Sequence, residues 1–293
     1  MNIIKKKPIC IHKYLTKPHI IKNIIGQPPS GLGDFLRGTV ALFKLSEIYN
    51  YDVFIDKKSH PFFSFFEYDI NYINDNSIDD DIFDLWNYET YKLEELFKKQ
   101  DNFLVHTNCF YTKNENGEYV NFGKIPENIQ NKIKNLLIPK KIVNDKLEYI
   151  FKNIYKLKDY EKFKTIHIRL GDNYLLNNKK SNDYDYLLKN ILEHISFIIY
   201  NDNRYKYILL TDSKILSNDI IKFIPEILYW DNEKIHMGYS DNQNQENILD
   251  TIIDFITLTK SEEIIGNDSG FSRSVSEIYN IKYNHIFDIS YFN

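Results

Sequence analysis

Cysteine is nearly missing from this chain of 293 residues: Cys10 and Cys109 are the only two. Thiols so far apart in sequence form neither a disulfide framework nor a metal-ligand cluster, and two reduced thiols are expected. No apolar run approaches the roughly twenty residues that cross a bilayer. The opening Met1-Asn2-Ile3-Ile4-Lys5-Lys6-Lys7 is not followed by the long apolar core of a secretory signal. A soluble, cytoplasmic protein without signal peptide or anchor is therefore expected. A basic excess is lacking too. Its 37 Lys and Arg stand against 41 Asp and Glu, a formal net charge of -4, which argues against a general nucleic-acid binder.

What is present suits a folded protein. Hydrophobic residues make up 43% and charged residues 27%, enough apolar side chain for sizeable cores and too little charge for a disordered chain. The length allows two domains of ordinary size. The 23 Tyr and 20 Phe, with many Asn, Ile and Lys, look like a coding bias, so Asn-rich loops carry no functional meaning by themselves.

Periodicity predicts an alternating α/β chain. His19–Ile25 reads as a strand broken by Gly26-Gln27-Pro28-Pro29-Ser30-Gly31-Leu32-Gly33. Phe35, Leu36, Val40, Leu42, Phe43, Leu45 and Ile48 have helical spacing over Asp34–Tyr49, and Val53–Ile55 reads as the next strand. Strand, glycine loop, helix and strand together announce a parallel sheet. The acidic stretch Asp69–Asp84, with Asp79-Asp80-Asp81, reads as a solvated loop. Phe103–Val105 is a further strand and Ile125–Tyr155 is mostly helical, broken at Pro126 and Pro139. Lys156–Lys164 is a candidate linker. The second half repeats the rhythm: strands at Ile166–Ile168, Tyr207–Leu210, Ile227–Tyr229 and Glu263–Gly266, helices at Tyr184–Tyr200, Ile215–Phe223, Glu246–Lys260 and Phe271–Tyr279. Two Rossmann-like domains, 1–158 and 159–293, facing a central cleft are expected.

Four segments are candidates for chemistry. Thr165-Ile166-His167-Ile168-Arg169-Leu170-Gly171-Asp172 delivers a guanidinium to the carboxyl end of a strand, where open α/β sheets bind ligands. A planar guanidinium suits phosphate oxygens, although a solvent-facing arginine would read the same. His167 lies on the same strand face, as a ligand contact or as a core residue. At Ser269-Gly270-Phe271-Ser272 a turn opens a helix, where free N–H groups and serine hydroxyls make an anion site; Ser269 could equally be only an N-cap. Thr211-Asp212-Ser213 ends another strand, and Asp212 either binds ligand or starts the next helix. Gly31-Leu32-Gly33-Asp34, with Arg37, is not a P-loop, and Gly38 falls too late for a Gly-x-Gly-x-x-Gly motif. These glycines serve close approach to a ligand or a tight turn. In addition Asp254 interrupts the apolar Ile252-Ile253-Asp254-Phe255-Ile256, and a carboxylate there needs a partner: two donors of a guanine base, a backbone group, or Arg273.

Together these segments resemble the GT-B fucosyltransferases that use GDP-fucose, nearest the α1,6 group with its Nod-factor enzymes and akin to protein O-fucosyltransferases. Ser30–Gly38 followed by Tyr51–Asp56 looks like the family's amino-terminal motif, and His167–Asp172 like its central His-x-Arg-x-Gly-Asp. Leu209–Ser213 and Leu249–Ser276 look like the remaining two, in the expected order. The resemblance implies that Arg169 holds the β-phosphate, that Ser269, Gly270, Phe271 and Ser272 cradle the pyrophosphate, and that Asp254 with His167 reads guanine. It further implies inversion at the sugar, a glycan or peptide acceptor, and neither metal nor cofactor beyond the donor. Asp34, on the Gly31–Asp34 loop, is the candidate base. Leu170 stands where many relatives carry a second arginine. A heptosyltransferase-like enzyme and a catalytically silent nucleotide-sugar binder are the competing readings; against the former, Arg273 stands where a histidine is expected.

Overall fold

The computed structural model describes residues 7–15, 19–21, 24–27, 31–67, 82–86, 89–109, 111–113, 119–121, 124–158, 161–170, 184–232, 244–267 and 269–286. Pro28–Ser30, Asp79–Asp81, Gly171, Asp172 and Asp268, which figure in the sequence reading, lie outside them. Two compact units are present, Met1–Pro139 and Lys140–His236 with Ser240–Asn293.

The first unit is built on a four-stranded parallel sheet. Its elements are β1 (Ile9–His12), β2 (His19–Ile21), β3 (Ile24–Gln27), α1 (Leu32–Tyr49), β4 (Asp52–Ile55), a 3-10 turn (Pro61–Phe65), β5 (Ile82–Leu85), α2 (Thr90–Lys99), β6 (Phe103–Thr107), β7 (Tyr111–Lys113), β8 (Tyr119–Asn121) and α3 (Glu127–Leu136). The sheet order is β4-β1-β6-β5. The strand that α1 links to β4 is thus β1, with Ile9 opposite Asp52 and His12 opposite Ile55. The expected strand at His19–Ile25 is instead split into β2 and β3, an antiparallel pair outside this sheet. Helix α1 begins at Leu32, two residues before the expected start, so the Gly31–Asp34 segment is its first turn rather than a loop. Phe35, Leu36, Val40 and Leu42 bury its inner face, and Asn50 ends it in the left-handed conformation at φ 58°. Gly38 sets how near α1 comes to β6. A Cβ there would stand 1.9 Å from the Thr107 carbonyl oxygen, so only glycine permits this packing. Both cysteines are free and buried, and burial pushes both thiols up from their ordinary range.

The second unit repeats the plan. It comprises α4 (Lys141–Tyr149), which runs into a π-helical turn at Ile150–Ile154, then β9 (Phe163–Ile168), α5 (Tyr184–Asn201), β10 (Lys206–Thr211), α6 (Lys214–Phe223), α7 (Gln245–Thr259), β11 (Glu263–Gly266), α8 (Gly270–Tyr279) and β12 (Lys282–His285). All pairs in the sheet β10-β9-β11-β12 are parallel. Parallel strands covered by helices read as continuous apolar runs, which is why β9 and β10 were legible. Ile166, Ile168, Leu209 and Ile265 pack with Leu187, Ile191 and Ile195 of α5 and Leu216 and Ile220 of α6 in one core. The expected strand Ile227–Tyr229 reduces to a single bridge, Leu228 to Ile208. At the amino ends of the strands charges neutralise one another: Lys164 meets Asp202 at 3.0 Å and Glu263 at 2.5 Å, and Lys282 meets Glu263 at 2.6 Å.

Candidate functional site

At the carboxyl ends of the second sheet the chain leaves three adjacent strands within a few residues of one another. His167 of β9, Gly266 of β11 and His285 of β12 stand in register. Arg169 follows β9 and is held by its main chain. Its N–H donates to Asn267 Oδ1 at 2.8 Å, and its carbonyl accepts from Asn267 Nδ2 at 2.6 Å. The next N–H, of Leu170, donates to Asp212 Oδ1 at 2.9 Å. Three strand exits are thereby stitched together by two side chains, and the segment carrying the guanidinium is fixed at both of its peptide groups. Sequence reasoning missed Asn267, a single buried amide that it read only as part of a turn. Its one available sign was a polar residue directly after an apolar strand. Asp212 carries a structural load at this point, while the cap of α6 is the next residue: Ser213 Oγ accepts from the Leu216 N–H at 3.3 Å. Leu170, at 1% exposure, belongs to the core and brings no charge to this edge.

Helix α8 starts shortly after Asn267, the residue that clamps Arg169. Its N-cap, Ser269, is extended (φ -77°, ψ 128°), and the Ser269 carbonyl accepts the first helical bond from the Arg273 N–H at 3.0 Å. The Ser269 side chain makes no capping bond. Although buried, its Oγ has no hydrogen-bond partner among the described residues. The Ser272 hydroxyl lies 3.3 Å from the Tyr283 hydroxyl. Space at Gly266 is tight: an added Cβ would stand 2.6 Å from that tyrosine's oxygen and 3.0 Å from the His167 carbonyl oxygen. Helix-start N–H groups without intrahelical partners, a partial positive charge and an unengaged hydroxyl form a site suited to an anion.

Aromatic packing ties the remaining candidates to this edge. The His167 ring stacks on Phe271 at 5.8 Å, and Phe271 meets Phe255 of α7 edge-on at 5.7 Å. Asp254, the neighbour of Phe255, is 7% exposed. It lies among phenols: burial first, then the charges of Asp254 and Tyr229, hold Tyr155 well above its ordinary value. Burial likewise raises Tyr229, with Asp231 and Asp254 adding to it. The guanidinium of Arg273, considered above as a counter-ion for Asp254, is met at His285 Nε2, 2.6 Å away.

In the first unit, Gly31 caps α1 in an extended conformation (φ -73°), with nothing within 4 Å of where a Cβ would stand. No tight turn requires glycine here. Gly33 is buried in the first turn, and Asp34 follows it, 3.7 Å from Arg37. Beneath that turn is a nest of rings that the sequence reading did not anticipate. His12 stacks on Phe35 at 4.0 Å, and Tyr14 lies 4.1 Å from His60 and 5.8 Å from His106. Desolvation, then the neighbouring His106, drive His60 down to about 3 and His12 well below its usual value. Burial and the charge of Asp34 push Tyr14 up to about 12. Among the described residues no group of three or more His, Cys, Asp or Glu is placed to hold a metal ion, and no helix is long and apolar enough to cross a membrane.

No protein-family model and no curated protein matches the sequence. Solved structures do match. The NodZ α-1,6-fucosyltransferase soaked with GDP-fucose superimposes with a TM-score of 0.58 at 14% identity, covering 93% of each chain. FUT1 of Arabidopsis thaliana in complex with GDP gives 0.54 at 8% identity, over 98% of this chain and 72% of that one. POFUT1 in complex with GDP-fucose gives 0.53 at 10% identity, over 96% and 98%. At these identities the likeness is one of fold, and the chain has the two-sheet α/β fold of these fucosyltransferases.

Proposed function

We propose that this protein is a glycosyltransferase that moves fucose from GDP-fucose to a hydroxyl of a glycan or peptide acceptor. The observation that carries the reading is the carboxyl edge of the second sheet. There a backbone-clamped arginine and the open start of α8, with the unengaged Ser269 hydroxyl, occur in a fold shared with proteins solved with GDP-fucose. Breaking the bond between the anomeric carbon and phosphate oxygen leaves positive charge on the sugar and negative charge on departing GDP. Groups fixed beforehand where that negative charge grows lower the barrier without reorganising, and they act more strongly on the transition state than on the bound donor. Arg169 and the amides of Gly270, Phe271 and Ser272 fill this role in the proposal.

Guanine is assigned to the buried carboxylate of Asp254, which offers two acceptor oxygens to the adjacent N1–H and amine of the base, with His167 and Phe271 supplying ring surface. In the first unit Asp34 is assigned the acceptor proton as general base. Gly31 and Gly33, at the start of α1, are assigned to nucleotide-sugar binding. Attack opposite the leaving group inverts the anomeric centre, and the reaction runs without metal. The test is a panel of GDP-, UDP- and ADP-sugars scored for nucleotide release, with and without EDTA, and with product configuration read by NMR. Selective, EDTA-insensitive turnover of GDP-fucose with inversion supports the assignment; preference for a UDP- or ADP-sugar contradicts it.

A further inference from the structure

A cavity lies at the other end of the second unit's sheet. Helix α4 does not stop at Tyr149 but widens into the π-helical turn, where the Tyr155 N–H donates to the Ile150 carbonyl at 2.9 Å, five residues back. Such turns give up α-helical geometry and are frequent beside functional sites. Lys156 then ends the helix in the left-handed region at φ 53°. Between this turn and the first residue of β9 is a cavity of about 380 Å³, within the ordinary range of small-molecule pockets. Its floor is apolar. Leu147, Leu157 and Phe163 are core residues that touch it, and the half-buried Phe151 meets Phe163 edge-on at 5.4 Å. Phe163 opens β9 whereas Arg169 follows its far end, about 20 Å away at the rise of a parallel strand. The cavity is therefore separate from the edge assigned to the nucleotide.

The rim carries charge of both signs, and the two do not balance. Glu148 and Lys152 cancel one another at 2.6 Å. Glu161 accepts from the main-chain N–H of Lys158 at 3.2 Å, which leaves the Lys158 ammonium itself unengaged. Neither Lys158 nor Lys260, the residue that caps α7, has an ion-pair partner among the described residues. Two cations against one carboxylate leave the rim positive above an aromatic floor. We infer that the cavity is a second ligand site, for a small acid whose flat ring body covers the floor while its anionic group meets the two lysines. A ring entering there finds the offset or edge-on contacts that aromatic pairs prefer. An ammonium on a flexible stem meets a carboxylate or sulfonate as a point charge. The apolar floor disfavours a bare inorganic anion, and the lysines add nothing for a neutral hydrocarbon.

Calorimetry with 1-naphthoate, 1-naphthalenemethanol and acetate tests this on the full chain, on the double variant Lys158→Gln with Lys260→Gln, and on Phe151→Ala. Wild type is expected to bind 1-naphthoate saturably, 1-naphthalenemethanol about tenfold more weakly, a difference of about 1.4 kcal/mol, and acetate not at all. The double lysine variant changes only exposed side chains, so it should keep its melting temperature and bind the two naphthalenes alike. Phe151→Ala should weaken both; where it unfolds, the lysine variant decides. Saturating GDP should leave the 1-naphthoate affinity unchanged. No saturable binding of 1-naphthoate by wild type overturns the inference, as does an affinity within twofold of wild type in the double lysine variant. Displacement of 1-naphthoate by GDP overturns it too, by placing the acid at the nucleotide edge. None of these outcomes depends on the donor: a chain that turns over no nucleotide sugar yet binds 1-naphthoate in this pattern keeps the second site and loses only the transferase reading.

Discussion

At the scale of single residues, the account rests on side chains whose position is decided by others. Asn267 engages both peptide groups of Arg169 and so fixes where its side chain leaves the main chain; in the proposed site that guanidinium meets the departing diphosphate. Arg169→Ala is therefore expected to lower kcat/KM by about 100- to 1000-fold, the usual cost of one preorganised transition-state donor. The melting temperature should stay near wild type, because the clamp uses main chain rather than the guanidinium. Asn267→Ala should do the opposite in part, with a stability loss of about 1–3 kcal/mol from buried groups left unpaired, alongside lower activity. Gly38→Ala is purely structural: its Cβ would strike the Thr107 carbonyl, and a chemical melt should show a loss of at least about 1–3 kcal/mol. Arg169 was legible from sequence because a short β-type run ended on a charge. Asn267 and the ring nest around His12 were not, since one buried polar residue looks like any other until its neighbours are known.

For whole elements, legibility followed length and exposure. Helix α5 is long and one-sided and α7 is long and buried on nearly every side, and their apolar residues announced both. Strand β12, Lys-Tyr-Asn-His, lies at a sheet edge and is largely exposed, so it carries no apolar signal. Strand β1 is only four residues long and follows the lysine-rich opening, while the longer apolar run at His19–Ile25 drew the assignment away from it. The α8 start yields the sharpest test at this scale. An N-cap serine changed to alanine ordinarily costs about 1 kcal/mol through the lost cap bond. Ser269 makes none, so Ser269→Ala should shift thermal stability by less than about 0.5 kcal/mol while weakening GDP binding several-fold. Full-strength GDP binding by that variant would remove the hydroxyl from the site.

Across the whole molecule the two units should respond differently to acid. Buried imidazoles that stay neutral in the fold take up protons only on unfolding. His60 and His12 therefore make the first unit lose stability as pH falls below their unfolded value of about 6.5, and for His60 the loss continues down to about 3. One imidazole titrating at about 3 withdraws up to roughly 5 kcal/mol across that window. In the second unit the carboxylates Asp202 and Glu263 are held low by lysine and arginine partners and become protonated only in stronger acid. The chain's two tryptophans, Trp86 and Trp230, fall one in each unit. Denaturant melts of Trp86→Phe and Trp230→Phe variants at pH 7 and pH 5 should show a clear drop in midpoint for the unit reported by Trp86 and little change for the other. Equal drops would contradict the assignment of acid sensitivity to the buried histidines. The alternating α/β plan was visible in the sequence as a rhythm of apolar runs, because two parallel sheets need helices between their strands. The pairing of β1 with β6 was not, since it depends on contacts remote along the chain.

Purified protein incubated with GDP-fucose and an acceptor mixture, with GDP release followed in wild type and Arg169→Ala, is the most direct test of the central claim. The account predicts steady release by wild type, at least about 100-fold slower release by the variant, and none from UDP-sugars. Release from GDP-fucose at equal rates in both proteins, or none in wild type while a UDP-sugar turns over, would contradict it.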